Sequence, residues 1–434
     1  MAFLHLKRGN DWVSEGGGMH HLLVGAGPAG VTAGETLRRL DPDAQITLLC
    51  GEPGDPYARM AIPYMLVGHI GEQGTRLRKA ETHWEALGID VRHGRVHHVA
   101  ADSDEVVLED GARIAFDRLL LATGAHPVRP PVTGMDLPGV VSCWTLEDAR
   151  AIVAGTAPGS QVVLMGAGFI GCIILEALVE RGVDLTVVEQ GPRMVPRMLD
   201  ETAGRMLQAH CEARGVRVLV ATRVESVSGS QGRLSVHTAA GEALSADLVI
   251  TATGVRSNIG FLEGSGIDCE QGVLVDEFLH SSRAHVFAAG DVAQGPDLLG
   301  QGRQVHAIQP TAVEHGRIAA HNMVRAGSVR YQGSLNMNVL DTLGLISVSF
   351  GEWGEGGDCS ALQLENPEAG RYLKLVFDAQ DRLRGAIAVG HTEKVGVLRG
   401  LIQSRRSLKV WRDRLEQNPT QLSEVYLGVV EGLA

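Results

Sequence analysis

Two glycine-rich turns, each set between an apolar run and a helix-like run, predict an α/β chain with two Rossmann-like dinucleotide-binding domains. A change of pattern near residue 330 adds a small α+β C-terminal domain. The first turn follows Leu22-Leu23-Val24 and reads Gly25-Ala26-Gly27-Pro28-Ala29-Gly30, with Val31 to Leu40 as the next helix. The second follows Val162 to Met165 and reads Gly166-Ala167-Gly168-Phe169-Ile170-Gly171. Both spell G-x-G-x-x-G. The first glycine allows a tight turn, the second lets a pyrophosphate approach the backbone, and the third lets helix and strand pack closely. The helix N-terminus then supplies N–H donors and a positive dipole end. One such motif is weak evidence, because glycine-rich turns are common. Two in one chain, each with its strand and helix, point to two dinucleotides.

The chain has 434 residues, enough for roughly three domains. A net charge of −12 argues against a general nucleic-acid or anionic-membrane surface. No apolar run approaches the roughly 20 residues that span a bilayer. Residues 1–18 lack the apolar core and cleavage site of a signal peptide. They read as a disordered extension, or as an upstream start with Met19 as the natural one. The six cysteines, at 50, 143, 172, 211, 269 and 359, form no C-x-x-C and no metal-ligand spacing. They are expected to be mostly buried thiols in a reducing cytoplasm, with no bound metal.

In chain order, Ile46 to Leu49 is the second strand of a βαβ start, and Ala86 to Val91 and Val106 to Phe116 are strand and hairpin material. A buried strand from Asp117 ends in Ala122-Thr123-Gly124, and His126 to Pro131 is a stiff linker. Residues 160–190 repeat the βαβ pattern, with the strand Leu185 to Val188 ending in Glu189. A second apolar strand closes in Ala252-Thr253-Gly254, and Val286 to Ala289 runs into Gly290-Asp291. Pro310 to Met323 reads as a helix with proline in its first turn. Short strands at Leu345–Phe350 and Tyr372–Phe377 follow, then one basic amphipathic helix from Val395 to Leu415. The expected boundaries are 19–128 and 256–328 for a first domain split in sequence, 129–255 for the second, and 329–434 for the third.

That order of motifs resembles the FAD-dependent pyridine-nucleotide-disulphide oxidoreductase superfamily over about residues 20–325. The resemblance implies a glutathione-reductase-like arrangement, with an FAD domain interrupted by an NAD domain. It implies that Ala122, Thr123, Gly124, Gly254 and Gly290 line the nucleotide sites, and that Asp291 holds the flavin ribityl chain. Without the resemblance, Asp291 could be a helix cap. The helix opening at Pro310 and Thr311 would aim its N-terminus at the flavin pyrimidine ring, where its dipole favours negative charge. The stretch Pro56-Tyr57-Ala58-Arg59 resembles the P-Y-x-R segment of the ferredoxin, rubredoxin and nitrite reductase flavoproteins, and brings in Arg59 as a cofactor contact. Single-cysteine relatives keep a redox thiol three residues before their Pro-Tyr. Here the corresponding Pro-Tyr is Pro63-Tyr64 and that place is Met60, and a thioether cannot cycle as a thiolate. Cys50 ends the second strand, where the FAD adenosine is expected. The usual ribose-binding acid is displaced to Glu52, with a solvated turn residue as the other reading. A Glu–Lys pair common in relatives is replaced on both sides, by Ile173 and Tyr64.

Glu189 ends the second strand of the second motif. A carboxylate there accepts both hydroxyls of an adenosine ribose and repels a 2′-phosphate, which favours NADH over NADPH. Arg193 nearby leaves room for NADPH. Transfer between nicotinamide and flavin needs stacking and dryness more than acid–base residues. Tyr64 and His306 are the candidate catalytic residues, for lining the flavin and supplying a proton. A packing or capping role is the other reading for His306. Arg399, Arg405, Arg406, Lys409, Arg412 and Arg414 form a local basic face, either solvated or a dock for an acidic redox partner. The sequence therefore reads as a cytoplasmic, monomeric or homodimeric, FAD-containing NADH oxidoreductase. Its expected acceptor is a small acidic iron–sulphur protein. Two other readings stay open: a stand-alone NADH oxidase or reductase of oxygen, a quinone or an organic acceptor, and a redox-sensing interaction protein of apoptosis-inducing-factor type.

Overall fold

The computed structural model describes residues 18–432 except 301, 355, 357, 392 and 394, together with the short strands Leu6–Lys7 and Asp11–Trp12. The expected extension 1–18 lies, apart from these strands and Gly18, outside the described residues. The chain forms two compact units. One comprises 1–61, 70–126 and 255–334, and the other 62–69, 127–254 and 335–434.

In the first unit a parallel sheet carries the strands Val286–Ala288, Arg118–Leu121, His20–Val24, Gln45–Cys50 and Ile89–His93, in that spatial order. The first strand in sequence, His20–Val24, is buried along its whole length, as a strand covered on both faces must be. The helix Pro28–Leu40 starts directly behind it, and the helix Gln309–Val324 packs along that helix. The close approach is possible because Gly316 has no side chain: a Cβ there would lie 2.2 Å from the Ala29 carbonyl oxygen.

The second unit repeats the plan. Val140–Ser142, Leu248–Thr251, Gln161–Met165, Asp184–Val188 and Arg217–Leu219 form a parallel sheet whose last four strands repeat that order, while its edge strand Val140–Ser142 comes first in sequence, with the helix Phe169–Glu180 after its motif. The unit also contains an antiparallel sheet, ordered Met337–Thr342, Leu345–Gly351, Leu383–Val389, Arg371–Phe377 and Ser360–Asn366. The helices Val395–Ser404, Arg412–Gln417 and Leu422–Val430 follow it.

The expected single helix from Val395 to Leu415 is broken. Arg405 takes a left-handed φ of 52°, and the Leu408 N–H leaves the helical pattern to bond the Asp381 carbonyl at 2.8 Å. Two of its basic residues are used structurally. Arg406 donates to the Val429 carbonyl at 2.5 Å, and the Arg412 guanidinium lies 4.1 Å from the centre of the Phe377 ring.

Burial leaves two neutral histidines inside the first sheet. His21 is fully buried, with neither ring nitrogen hydrogen-bonded. Desolvation brings it down to about 4, and also lowers its neighbour His20, whose Nε2 lies 3.0 Å from the Thr47 hydroxyl. Because the folded-state value of His21 lies below the unfolded one, only the unfolded chain gains its proton as the pH drops below about 6.5. Stability is lost over that window until the folded value near 4 is reached. At pH 5 the loss from His21 is about 2 kcal/mol. Urea unfolding at pH 7 and pH 5 measures it, and His21→Leu should remove about that part of the pH dependence. An unchanged difference between the two pH values would rule out a neutral buried His21.

Candidate functional site

Each glycine motif builds a cradle with the same three constraints. Gly25 has φ 112° and Gly166 φ 104°, and a Cβ at either would lie 2.2 or 2.5 Å from the carbonyl oxygen of Ala122 or Ala252. A Cβ on Gly30 would lie 1.9 Å from the Gly25 carbonyl, and one on Gly171 2.1 Å from that of Gly166. At Gly27 and Gly168 a Cβ would meet nothing within 4 Å. First and third glycines are thus forced by packing, whereas the second faces open space, where a pyrophosphate fits.

The helix starts agree. The helices beginning at Pro28, Phe169 and Gln309 have N-caps Gly27, Gly168 and Ile308, none with a side-chain cap. The helices Leu146–Gly155 and Glu201–Glu212 are capped by Thr145 and Asp200. Uncapped first turns keep their N–H donors and positive dipole ends for an anionic or acceptor-rich ligand.

The A-T-G turns are matched as well. The Thr123 hydroxyl donates to the Asn258 carbonyl at 3.0 Å, and the Thr253 hydroxyl to that of Val128 at 2.8 Å. Gly124 and Gly254 carry φ of 66° and 108°.

In the first unit, Gly290 takes φ 76° and packs against Ala29 and Ala312, which places Asp291 beside the first cradle. Desolvation pushes the Asp291 carboxyl up to about 6, against the pull of the Arg59 charge. A carboxylate in that state gains from hydroxyl donors, which a ribityl chain supplies. His315, on the helix behind, accepts from the Gly290 N–H at 3.3 Å through Nδ1. Burial holds it neutral, at about 3.

Glu52 accepts from the Tyr57 hydroxyl at 2.5 Å and pairs with the Arg59 guanidinium. Sequence reading had singled out Glu52 and Arg59 but not Tyr57, whose place in the P-Y-x-R run was the available signal. His306 lies 3.2 Å from the Asp297 carboxylate, both side chains being buried. No pattern in the sequence marks Asp297 as its partner.

Around the second cradle, Glu189 accepts from Ala167 N–H at 2.7 Å and Gly191 N–H at 2.6 Å, so its carboxylate is fixed against the glycine turn. Arg193 is turned away from a phosphate-binding role by its own bonds, to the carbonyls of Leu199 at 2.9 Å and Pro196 at 3.3 Å. Phe169 and Ile170 form the first turn of the helix. Tyr64 is 58% exposed, on the short helix Ile62–Leu66 of the second unit, and the Leu66 carbonyl accepts from Arg181 at 2.8 Å. The two candidate catalytic residues, Tyr64 and His306, thus belong to different units.

All six cysteines are free. Burial raises Cys143 and Cys211 to about 12 and Cys172 further, and Cys50 is also raised. Such thiols hold little thiolate at neutral pH and make poor nucleophiles. No helix among the described residues is long and apolar enough to cross a membrane.

Residues 19–316 match the family described as pyridine nucleotide-disulphide oxidoreductase, and residues 337–406 match the rubredoxin NAD+ reductase C-terminal domain. The chain is 29% identical over 402 residues to the epsilon subunit of the NADH-dependent phenylglyoxylate dehydrogenase of Aromatoleum evansii, covering 92% of this chain and 95% of that one. It is 33% identical over 304 residues to the ferredoxin–NAD(+) reductase component of the biphenyl dioxygenase system of Paraburkholderia xenovorans, covering 70% and 74%. The structure of an NAD-dependent persulfide reductase from A. fulgidus superposes with a TM-score of 0.86 at 25% identity, over 96% of this chain and 84% of that one.

The fixed carboxylate of Glu189 and the tied Arg193 together predict a strong preference for NADH. In wild type kcat/KM should favour NADH over NADPH, and Glu189→Ala should reduce that ratio by about tenfold or more, since a ribose-binding carboxylate and its repulsion of phosphate are both lost. A wild-type preference for NADPH would contradict the assignment.

Proposed function

The chain belongs to the pyridine nucleotide-disulphide oxidoreductase family, and from that premise we propose that it passes electrons from NADH, through a bound FAD, to a small iron–sulphur carrier. It is an FAD- and NADH-dependent oxidoreductase. The single observation that supports this acceptor most is the match of residues 337–406 to the rubredoxin NAD+ reductase C-terminal domain. In this reading the enzyme works in the cytoplasm as a monomer or homodimer and binds no nucleic acid.

Bound FAD supplies a store that takes two electrons together and releases them singly. The rest is done by this chain's own groups. Gly25, Gly27, Pro28, Ala29 and Gly30 hold the FAD pyrophosphate against the uncapped helix start. Glu52, steadied by Tyr57 and Arg59, serves the adenosine ribose, and Asp291 serves the ribityl hydroxyls. Ala122, Thr123, Gly124 and Gly290 close the walls. The helix that opens at Gln309, with Pro310 and Thr311 in its first turn, would turn its positive end and the Thr311 N–H to the ring, where they favour negative charge. Gly166, Gly168, Phe169, Ile170, Gly171, Glu189 and Gly254 hold NADH. His306, beside Asp297, serves as the proton donor near the helix start.

No protein thiol takes part. Met60 stands where a redox cysteine would be, and the buried cysteines are poor nucleophiles. Anaerobic titration should therefore consume one NADH per flavin. Alkylation after denaturation should count six thiols in the oxidised and reduced enzyme alike. Among acceptors, a ferredoxin or rubredoxin should be reduced far faster than oxygen or a quinone. A second NADH consumed, or two new thiols, would contradict the direct route. Equal turnover with oxygen alone would favour a stand-alone oxidase, and a long-lived complex with NADH and no fast acceptor would favour a redox-sensing protein.

A further inference from the structure

The loop between Glu189 and the helix Glu201–Glu212 carries an unusual strain. Val195 has a left-handed φ of 41° and is 1% exposed. A β-branched side chain is poorly tolerated there, and such a conformation persists only where its surroundings over-determine it. On the cradle side the restraint is visible. Val195 N–H bonds the Ala167 carbonyl at 2.7 Å, inside the glycine turn, and Arg193 is tied back to Leu199 and Pro196.

The other end of the loop is Asp200. One carboxylate oxygen accepts from the Ala203 N–H at 3.1 Å and caps the helix. The other accepts from the Tyr372 hydroxyl at 2.6 Å and lies 3.4 Å from the Lys374 ammonium. Tyr372 and Lys374 sit on the strand Arg371–Phe377 of the C-terminal sheet, 1% and 5% exposed. A buried Lys and a buried phenol hold their geometry because losing either partner leaves a desolvated polar group behind.

The same sheet reaches the second motif a second time. The helix Phe169–Glu180 packs against the strand Met337–Thr342, which runs into the left-handed turn residue Leu343. The Leu343 carbonyl lies 3.1 Å from His210 Nε2 on the following helix. Both helices that frame the second cradle are therefore gripped by the C-terminal sheet.

We propose that Tyr372 and Lys374 are positioning residues for NADH: through Asp200 they hold the strained 190–199 loop closed on the glycine turn, so that the C-terminal domain sets the affinity of the nucleotide site. The coupling rests on the reading of the second cradle as the NADH site. It runs both ways, because a ligand that is bound better by the braced loop must also strengthen the brace.

The test uses the full-length FAD-loaded enzyme with ferricyanide as a fixed acceptor. Tyr372→Phe combined with Lys374→Met keeps volume and removes the hydroxyl and the charge. The KM for NADH should rise roughly 3- to 10-fold, with kcat and flavin content unchanged. A merely structural role would lower kcat or flavin content instead. An unchanged KM in the double variant would overturn the proposal. If that variant does not fold, hydrogen exchange in wild type decides: NAD+ should slow exchange in residues 371–377 as well as 190–212, and no change in 371–377 would overturn it. Glu189→Ala is run alongside. If it leaves nucleotide kinetics untouched, the site assignment has failed; if it shifts them while the double variant does not, only the brace has failed.

Discussion

A backbone carbonyl oxygen occupies the space where a side chain would begin at Gly25, Gly30, Gly166 and Gly171. Everything else about the two nucleotide sites depends on that crowding. It pulls each helix start onto its strand end, and it leaves the middle glycine as the one place where the backbone is open. The positive end of the helix, left uncapped, then faces that opening. Without the close approach, the N–H donors would be too far from the strand edge to share one phosphate group.

The carboxylates complete what the cradles begin. Glu189 is held by two backbone N–H groups, that of Ala167 in the glycine turn and that of Gly191 in the following loop, so its position is fixed before any ligand arrives. Glu52 reaches a comparable state by another route, through Tyr57 and Arg59, because the strand before it ends in Cys50-Gly51 and not in an acid. Asp291 is the contrast: burial raises it to about 6, and the chain leaves its charge to be stabilised by a ligand. The first cradle thus combines one carboxylate fixed in advance with one that a ligand completes.

Much of this was legible in the sequence because the signals are local. A glycine at a fixed offset from an apolar strand reports a backbone constraint directly, and Pro310 reports a helix start. The short strands expected at Leu345–Phe350 and Tyr372–Phe377 lie within the observed Leu345–Gly351 and Arg371–Phe377. What escaped was long-range. Asp297 meets His306, and Asp200 meets Tyr372 and Lys374, through pairings that no spacing encodes, although Asp200 three residues before Ala203 carries the ordinary signal of an N-cap. The expected long basic helix failed for a related reason. Its charge pattern continued past Arg405, but the tertiary bond from Leu408 to Asp381 outweighed the local preference and turned the chain.

The central claim is that one chain holds two separate dinucleotides in two cradles of the same design. Gly168→Val tests it most directly. That position is extended, with φ −74° and ψ −172°, and a Cβ there meets nothing within 4 Å, so the fold tolerates the change while the new side chain fills the space meant for a pyrophosphate. The variant should retain one FAD per chain and be bleached by dithionite, while anaerobic mixing with NADH leaves the flavin oxidised. Bleaching by NADH at the wild-type rate would contradict the account.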